Sequence, residues 1–132
     1  MLLSIADRVK AEALPVVRTL SGAGYRFYAT EGTARMIEKL GLPVEQVAKR
    51  LTEGHPNVVD VIRDGTVQGV INIPEGRLTG TLRDGFYIRR AAAEHRIPCF
   101  TSIDTARAAA EALLAGAQQF TVQPLREYVK SR

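Results

Sequence analysis

Residues 25–34 read YRFYATEGTA, a short apolar run followed at once by a turn with two threonines and a glycine. The run Tyr25–Ala29 predicts a strand, because aromatic and apolar residues bounded by turn residues are typical of strands. The segment Thr33–Leu40 predicts a helix that ends before Gly41, since glycine commonly follows the last residue of a helix. A strand that passes straight into a helix is the building unit of parallel α/β sheets.

The same alternation continues in both directions along the chain. Further apolar runs predict strands at Leu2–Ala6, Val44–Leu51, Val67–Ile73 and Ile97–Ile103, with Phe120–Val122 as a short last strand. Between the strands the sequence predicts five more helices. The first ends near Ser21, and the second is Val58–Asp64, capped by Asn57. The third runs from an Asp84 cap to His95, the alanine-rich fourth runs from Asp104 or Thr105 to Ala115 and stops at Gly116, and the last begins at Pro124. This order predicts one domain over residues 1–132, an α/β/α sandwich of three layers around a mainly parallel sheet.

Composition narrows the classes of function. Of the 132 residues, 45% are apolar and 24% are charged, as in ordinary globular domains. The net charge of +4 comes from cations spread along the chain, which excludes a nucleic-acid-binding tail and suits a small anionic ligand. No apolar run reaches the roughly 18 residues of a membrane span. The first residues also lack the apolar core of a signal peptide, so we expect a cytoplasmic protein.

Residues suited to catalysis or metal binding are sparse. Cys99 is the single cysteine, which excludes an internal disulfide and fits a reducing compartment. His55 and His95 lie far apart in sequence and show no metal-ligand spacing. The sequence has neither a Walker loop nor a GxGxxG fingerprint. It therefore predicts no catalytic residue, no metal and no cofactor.

Three predicted strand ends carry polar clusters. Thr30, Gly32 and Thr33 open a helix, and hydroxyls beside free N–H groups at a helix start can hold an anion. Asn72 ends the strand Val67–Ile73, and the hydroxyl-rich segment Thr101–Thr105 opens another helix. Each cluster also has a purely structural interpretation as a helix cap or a turn.

Two cations fall near the same edge of the predicted sheet. Lys10 follows the first strand, and Arg50 belongs to the pair Lys49-Arg50 beside the third. Cations at such positions are more often solvated. These two become candidates for neutralising a bound anion because they converge with Thr30 and Thr33.

Five motifs occur in one order along the chain. They are Leu2-Leu3-Ser4-Ile5-Ala6-Asp7, the segment 28–34 (YATEGTA), the segment 53–60 (EGHPNVVD), Val70-Ile71-Asn72, and the segment 84–92 (DGFYIRRAA). In this combination the chain closely resembles the C-terminal allosteric domain of carbamoyl-phosphate synthase large chains, within the methylglyoxal-synthase-like fold family. The resemblance covers essentially the whole chain. It implies a Rossmann-like parallel sheet of five strands with helices on both faces.

The resemblance also implies a site for a phosphorylated nucleotide effector, with UMP as inhibitor or IMP as activator. The positions that match its phosphate site are Lys10, Thr30, Thr33, Arg50 and Asn72, with Ser4 near the same mouth. Arg50 stands where a lysine is usual, which keeps the charge and changes its geometry.

Other effectors enter through the same resemblance. Thr101 matches a threonine linked to ornithine, and the mitochondrial urea-cycle relative responds to N-acetylglutamate. Ile73 and Pro74 replace threonines that are common after the family asparagine, so two hydroxyl contacts are missing. The choice among UMP, IMP, ornithine and N-acetylglutamate therefore stays open.

The implied partners are the catalytic remainder of the large chain and the glutaminase small subunit. Such an enzyme makes carbamoyl phosphate from ATP, bicarbonate and glutamine for pyrimidine and arginine synthesis. The alternative is methylglyoxal synthase, a lyase of dihydroxyacetone phosphate that needs a carboxylate base and a histidine. The position of the base falls at or next to His55, that of the histidine falls near Thr81, and Asp60 is the nearest carboxylate. The sequence therefore favours a domain that binds an effector without catalysis.

Overall fold

The computed structural model describes residues 1–49, 52–75 and 79–122, with side chains omitted for 79–84 and 118–122. Five strands alternate with five α-helices, and a 3₁₀ turn precedes the first helix. The elements are β1 (Leu2–Ile5), the 3₁₀ turn (Asp7–Val9), α1 (Lys10–Gly22), β2 (Phe27–Ala29), α2 (Glu31–Lys39), β3 (Val44–Gln46), α3 (Val58–Arg63), β4 (Val70–Ile73), α4 (Thr79–Glu94), β5 (Cys99–Phe100) and α5 (Ile103–Val122).

All five strands form one parallel sheet in the order β3-β2-β1-β4-β5. The chain builds outward from β1 on one side and then crosses over to build outward from β4 on the other. This places the topological switch point between β1 and β4, where parallel sheets of this type bind ligands. The pairing register sets Ser4 of β1 beside Asn72 of β4 at the carboxyl edge.

Two buried clusters cover the two faces of the sheet. Leu3 and Ile5 of β1 face the layer formed by α1, α2 and α5, whereas Leu2 faces α3 and α4. Every residue of β1 and β4 is buried, as expected for central strands covered on both faces. The predicted three-layer α/β/α sandwich with a five-stranded parallel sheet is confirmed.

The observed strands are shorter than the apolar runs that predicted them. β3 ends at Gln46 and β4 begins only at Val70. The last strand of the sheet is the dipeptide Cys99–Phe100, because Ile103 already begins α5. Val67 lies before β4 but is buried, as strand residues are. Its apolar character therefore extended the predicted strand beyond the observed one.

Several helix boundaries differ from the prediction. α2 begins at Glu31, before Thr33, and α5 begins at Ile103, so neither Asp104 nor Thr105 caps α5.

The start of α4 and the end of α5 differ as well. α4 begins at Thr79, so Asp84 lies inside this helix and does not cap it. α5 continues through Gly116 to Val122, so the predicted strand Phe120–Val122 is wrong. A glycine costs a helix only about 1 kcal/mol, which the packing of α5 against α1 can offset. The helix predicted from Pro124 lies outside the described residues.

No helix in the described ranges has the length and apolar character needed to cross a bilayer.

Candidate functional site

A cleft of about 360 Å³ opens at the carboxyl edge of β1, β2 and β4, beside the switch point. Five residues that the sequence singled out line it together. They are Ser4, Lys10, Thr30, Thr33 and Asn72. The strand ends bring these residues to one place although they are spread from Ser4 to Asn72 along the chain.

The helix α2 starts at the floor of the cleft without a side-chain cap. Thr30 occupies the N-cap position in extended conformation, and its side chain makes no capping hydrogen bond. Its hydroxyl donates instead to the Ser4 hydroxyl at 3.4 Å, and both residues are buried. The N–H groups of the first turn of α2 are therefore not satisfied by the cap residue.

Thr33 holds a different position from the predicted one. It is the third residue of α2, not its cap, and it is 1% exposed. Its hydroxyl oxygen accepts a hydrogen bond from the Ile5 N–H at 3.0 Å, which ties α2 to the last residue of β1. Thr33 lines the cleft, and within the described part of the chain its hydroxyl proton has no acceptor.

The Lys10 ammonium lies against the start of α2. A Cβ atom at Gly32 would lie 2.8 Å from Lys10 Nζ, closer than such contacts allow, so glycine is needed for this approach. Lys10 also forms an ion pair with Asp7, three residues earlier. Lys10 and, more weakly, Lys49 hold the pKa of the Asp7 carboxyl below its usual range.

Asn72 presents a buried donor without an acceptor. The residue is 3% exposed, and its Nδ2 has no hydrogen-bond partner within the described part of the chain. Gly85 of α4 closes in from the other side, where an added Cβ would lie 3.1 Å from Asn72 Nδ2. A buried donor left unpaired costs about 1–3 kcal/mol, so this amide calls for an acceptor from the cleft.

Lys49 is a cation of the cleft that sequence reasoning passed over. It lines the cleft, whereas Arg50, the predicted cation, lies outside the described residues. A parallel bridge between Ala48 and Asn57 holds the backbone beside Lys49 in place. The doublet Lys49-Arg50 was the signal in the sequence, and the prediction took only Arg50 from it.

Carboxylates line the cleft as well as cations. Asp7, Glu31, Glu53 and Glu75 belong to its lining. Glu75 follows the end of β4, and its Oε1 accepts a hydrogen bond from the Asp7 N–H at 2.8 Å. Arg8 donates to the Pro74 carbonyl at 3.2 Å, so two hydrogen bonds join the segments that follow β1 and β4.

The remaining predicted residues lie away from the cleft. Thr101 is exposed after β5, at the edge of the sheet, and does not line it. His55 hydrogen-bonds Asp60, whose carboxylate also accepts from the Asn57 N–H at 2.9 Å and completes the cap of α3. The position expected for the lyase base falls at or next to His55, and in the structure this histidine contacts the start of a helix. Asn57 is confirmed as the predicted cap.

Residues 12–101 match the family described as MGS-like domain. The chain is 51% identical over 97% of its length to a carbamoyl phosphate synthase large chain from Thermomicrobium roseum, of which it covers 12%. It is 42% identical over 84% of its length to a C-terminal section of the large chain from Methanopyrus kandleri, of which it covers 20%. A large chain from Acidobacterium capsulatum is 42% identical over 93% of this chain, which covers 11% of it. The chain thus spans no more than a fifth of these relatives.

Proposed function

This chain belongs to the MGS-like domain family, and on that premise we propose that it is the effector-binding domain of a carbamoyl-phosphate synthase large chain. Its ligand is a phosphorylated nucleotide such as UMP or IMP. The domain itself performs no chemistry. One observation carries the proposal: among the described residues the buried Nδ2 of Asn72 has no acceptor, and it lies at the same cleft where α2 starts without a side-chain cap.

The phosphate would lie at the start of α2. N–H groups at a helix start and the positive end of the helix dipole favour an anion there. Lys10 and Lys49 supply two positive charges, and Thr33 supplies a hydroxyl proton. Because Thr30 donates its proton to Ser4, the Ser4 hydroxyl supplies the proton of that pair. The Asn72 amide donates to a phosphate oxygen or to the ribose, which gives its Nδ2 a hydrogen-bond acceptor. Each hydrogen bond to a charged oxygen is stronger than its neutral counterpart.

In this proposal, the effector regulates the enzyme because it binds one conformation of the domain more tightly than another. The partner of the domain is the catalytic remainder of the large chain, which acts with a glutaminase subunit on ATP, bicarbonate and glutamine. Effector occupancy changes the contact between the domain and that remainder. Couplings of this kind typically amount to about 1–3 kcal/mol.

The proposal is tested by thermal unfolding of the chain in the presence of UMP and IMP, with uridine, inorganic phosphate and N-acetylglutamate for comparison. At about one hundred times the dissociation constant, binding adds roughly 2.7 kcal/mol of stability, which shifts the melting temperature by several degrees. A shift with UMP and none with uridine identifies a phosphate-anchored site. A shift with N-acetylglutamate alone changes the effector class. No shift with any ligand overturns the proposal, and methylglyoxal release from dihydroxyacetone phosphate overturns the non-catalytic assignment.

Gly32→Ala separates binding from folding. The new methyl group displaces the Lys10 ammonium, a flexible chain end, while alanine favours the helix by up to about 1 kcal/mol. We expect a stable fold with UMP affinity reduced about tenfold, which corresponds to about 1.4 kcal/mol. Gly116→Ala is the matched control, because Gly116 also lies within a helix, α5, and a Cβ added there would contact no other atom of the described residues. Calorimetric affinities that are equal in both variants would contradict the placement of the phosphate.

A further inference from the structure

The ion pair between Asp7 and Lys10 sits at the mouth of the cleft and has an asymmetric exposure. The Asp7 side chain is 79% exposed, whereas that of Lys10 is 24% exposed. The ammonium is held against Gly32 at the start of α2, and the carboxylate reaches it from the solvent side. A cation beside the positive end of a helix is electrostatically unfavourable on its own, so this position requires an anion.

We propose that Asp7 is an affinity-setting residue, a carboxylate that takes the place of the effector phosphate on Lys10 when the cleft is empty and opposes the phosphate when it binds. The proposal rests on the proposed function, because it presumes that the phosphate lies at the start of α2. The ligand class is a phosphomonoester or inorganic phosphate.

Asp7 weakens phosphate binding whether the phosphate displaces the Asp7 carboxylate from Lys10 or binds Lys10 beside it. If the phosphate displaces the carboxylate from Lys10, binding loses the energy of the ion pair. An ammonium has three N–H donors, so Lys10 can also contact both groups at once. The carboxylate and the phosphate then carry like charges on neighbouring sites, and their repulsion weakens binding. Removing the charge of Asp7 therefore favours the phosphate in both cases.

The surroundings of Asp7 allow its carboxylate to leave without disturbing the fold. Its backbone N–H stays bonded to Glu75 Oε1 at 2.8 Å, which fixes the turn while the side chain rotates into solvent. The charged groups around it are Lys10 on α1, Lys49 after β3 and Glu75 after β4. An exposed ion pair of this kind contributes little to stability, so an incoming phosphate can replace it.

The test compares three variants of the whole chain by calorimetry with UMP and with inorganic phosphate. Asp7→Asn and Asp7→Ser both remove the charge, with different side-chain sizes. Glu12→Gln removes an exposed carboxylate from the first turn of α1, which makes it a control for general charge effects. We expect both Asp7 variants to bind UMP about threefold to tenfold more tightly at low salt, and the gain to shrink as salt is added. Glu12→Gln is expected to bind like the unmodified chain.

The outcomes separate this proposal from the one it rests on. If the unmodified chain binds UMP and the Asp7 variants bind it equally or more weakly, Asp7 is not a competitor and the effector site stands. Equal tightening by Glu12→Gln assigns the effect to general charge and overturns the role of Asp7. Binding by the Asp7 variants alone supports both proposals. No binding by any of the four chains overturns both.

Discussion

The helices α2 and α3 start in opposite ways. α3 closes its own start: the Asn57 side chain accepts hydrogen bonds from the N–H groups of Val59 and Asp60, both at 3.0 Å. The Asp60 carboxylate in turn accepts one from the Asn57 N–H. α2 has Thr30 at the same position, and this side chain caps nothing. Both starts carry residues that are good helix caps, so residue type alone does not separate them.

The two helix starts differ in what their polar side chains bind. Around α3 they satisfy the helix itself, whose six residues are too few for a helix that is stable in isolation. Around α2 they serve the neighbouring strand: Thr33 holds the Ile5 N–H, and Thr30 faces Ser4. The first turn of α2 is left for a ligand, and it is the one that lies at the switch point of the sheet.

The largest expected effect comes from removing the strand contact of α2. Thr33→Val keeps the shape of the side chain but leaves the buried Ile5 N–H without an acceptor. We expect the free energy of unfolding to fall by about 1–3 kcal/mol in urea denaturation. Thr19→Val is the control, because among the described residues this hydroxyl donates to the Pro15 carbonyl of its own helix and to nothing else. An equal, small loss in both variants would mean that Thr33 is not a structural link between α2 and β1.

A smaller effect is expected from opening the start of α3. Asn57→Ala removes the cap, and we expect a loss of about 1 kcal/mol in the same assay. UMP affinity should stay within about twofold of the unmodified chain, because α3 satisfies only itself. A fall in affinity as large as that of Gly32→Ala would show that the two helix starts are not functionally distinct.

The smallest effect concerns pH. The hydrogen bond from His55, followed by the Asn57 N–H, lowers the pKa of the Asp60 carboxyl. A carboxyl whose pKa is lower in the folded state stabilises the fold fully above its unfolded pKa, about 3.9, and this contribution is lost as pH falls through the folded pKa. In His55→Gln the pKa of Asp60 should rise, so this loss should begin at a higher pH. NMR titration of the Asp60 carboxyl in this variant measures the change in its pKa. An unchanged pKa would show that His55 does not stabilise the Asp60 carboxylate at the start of α3.

The sequence predicted the layers and most of the cleft because both depend on order along the chain. Strands alternating with helices leave little choice of architecture, and parallel strands place Ser4, Thr30 and Asn72 at one edge. It failed where long-range contacts decide. The bond between Ile5 and Thr33 spans 28 residues and leaves no local pattern, so Thr33 looked like a cap. Packing against α1 carries α5 past Gly116 despite the glycine.

The central position of β1 has a consequence for synthesis on the ribosome. β1 is the first strand of the chain, yet Leu2 pairs with Val70 of β4 on one side and Tyr28 on the other. At about 5–20 residues per second, several seconds pass before β4 emerges and covers the open edge of β1. Nascent chains therefore carry an unpaired apolar strand edge during this interval, which is a hazard for aggregation. A chaperone that holds this edge during translation would protect the domain until its sheet can close.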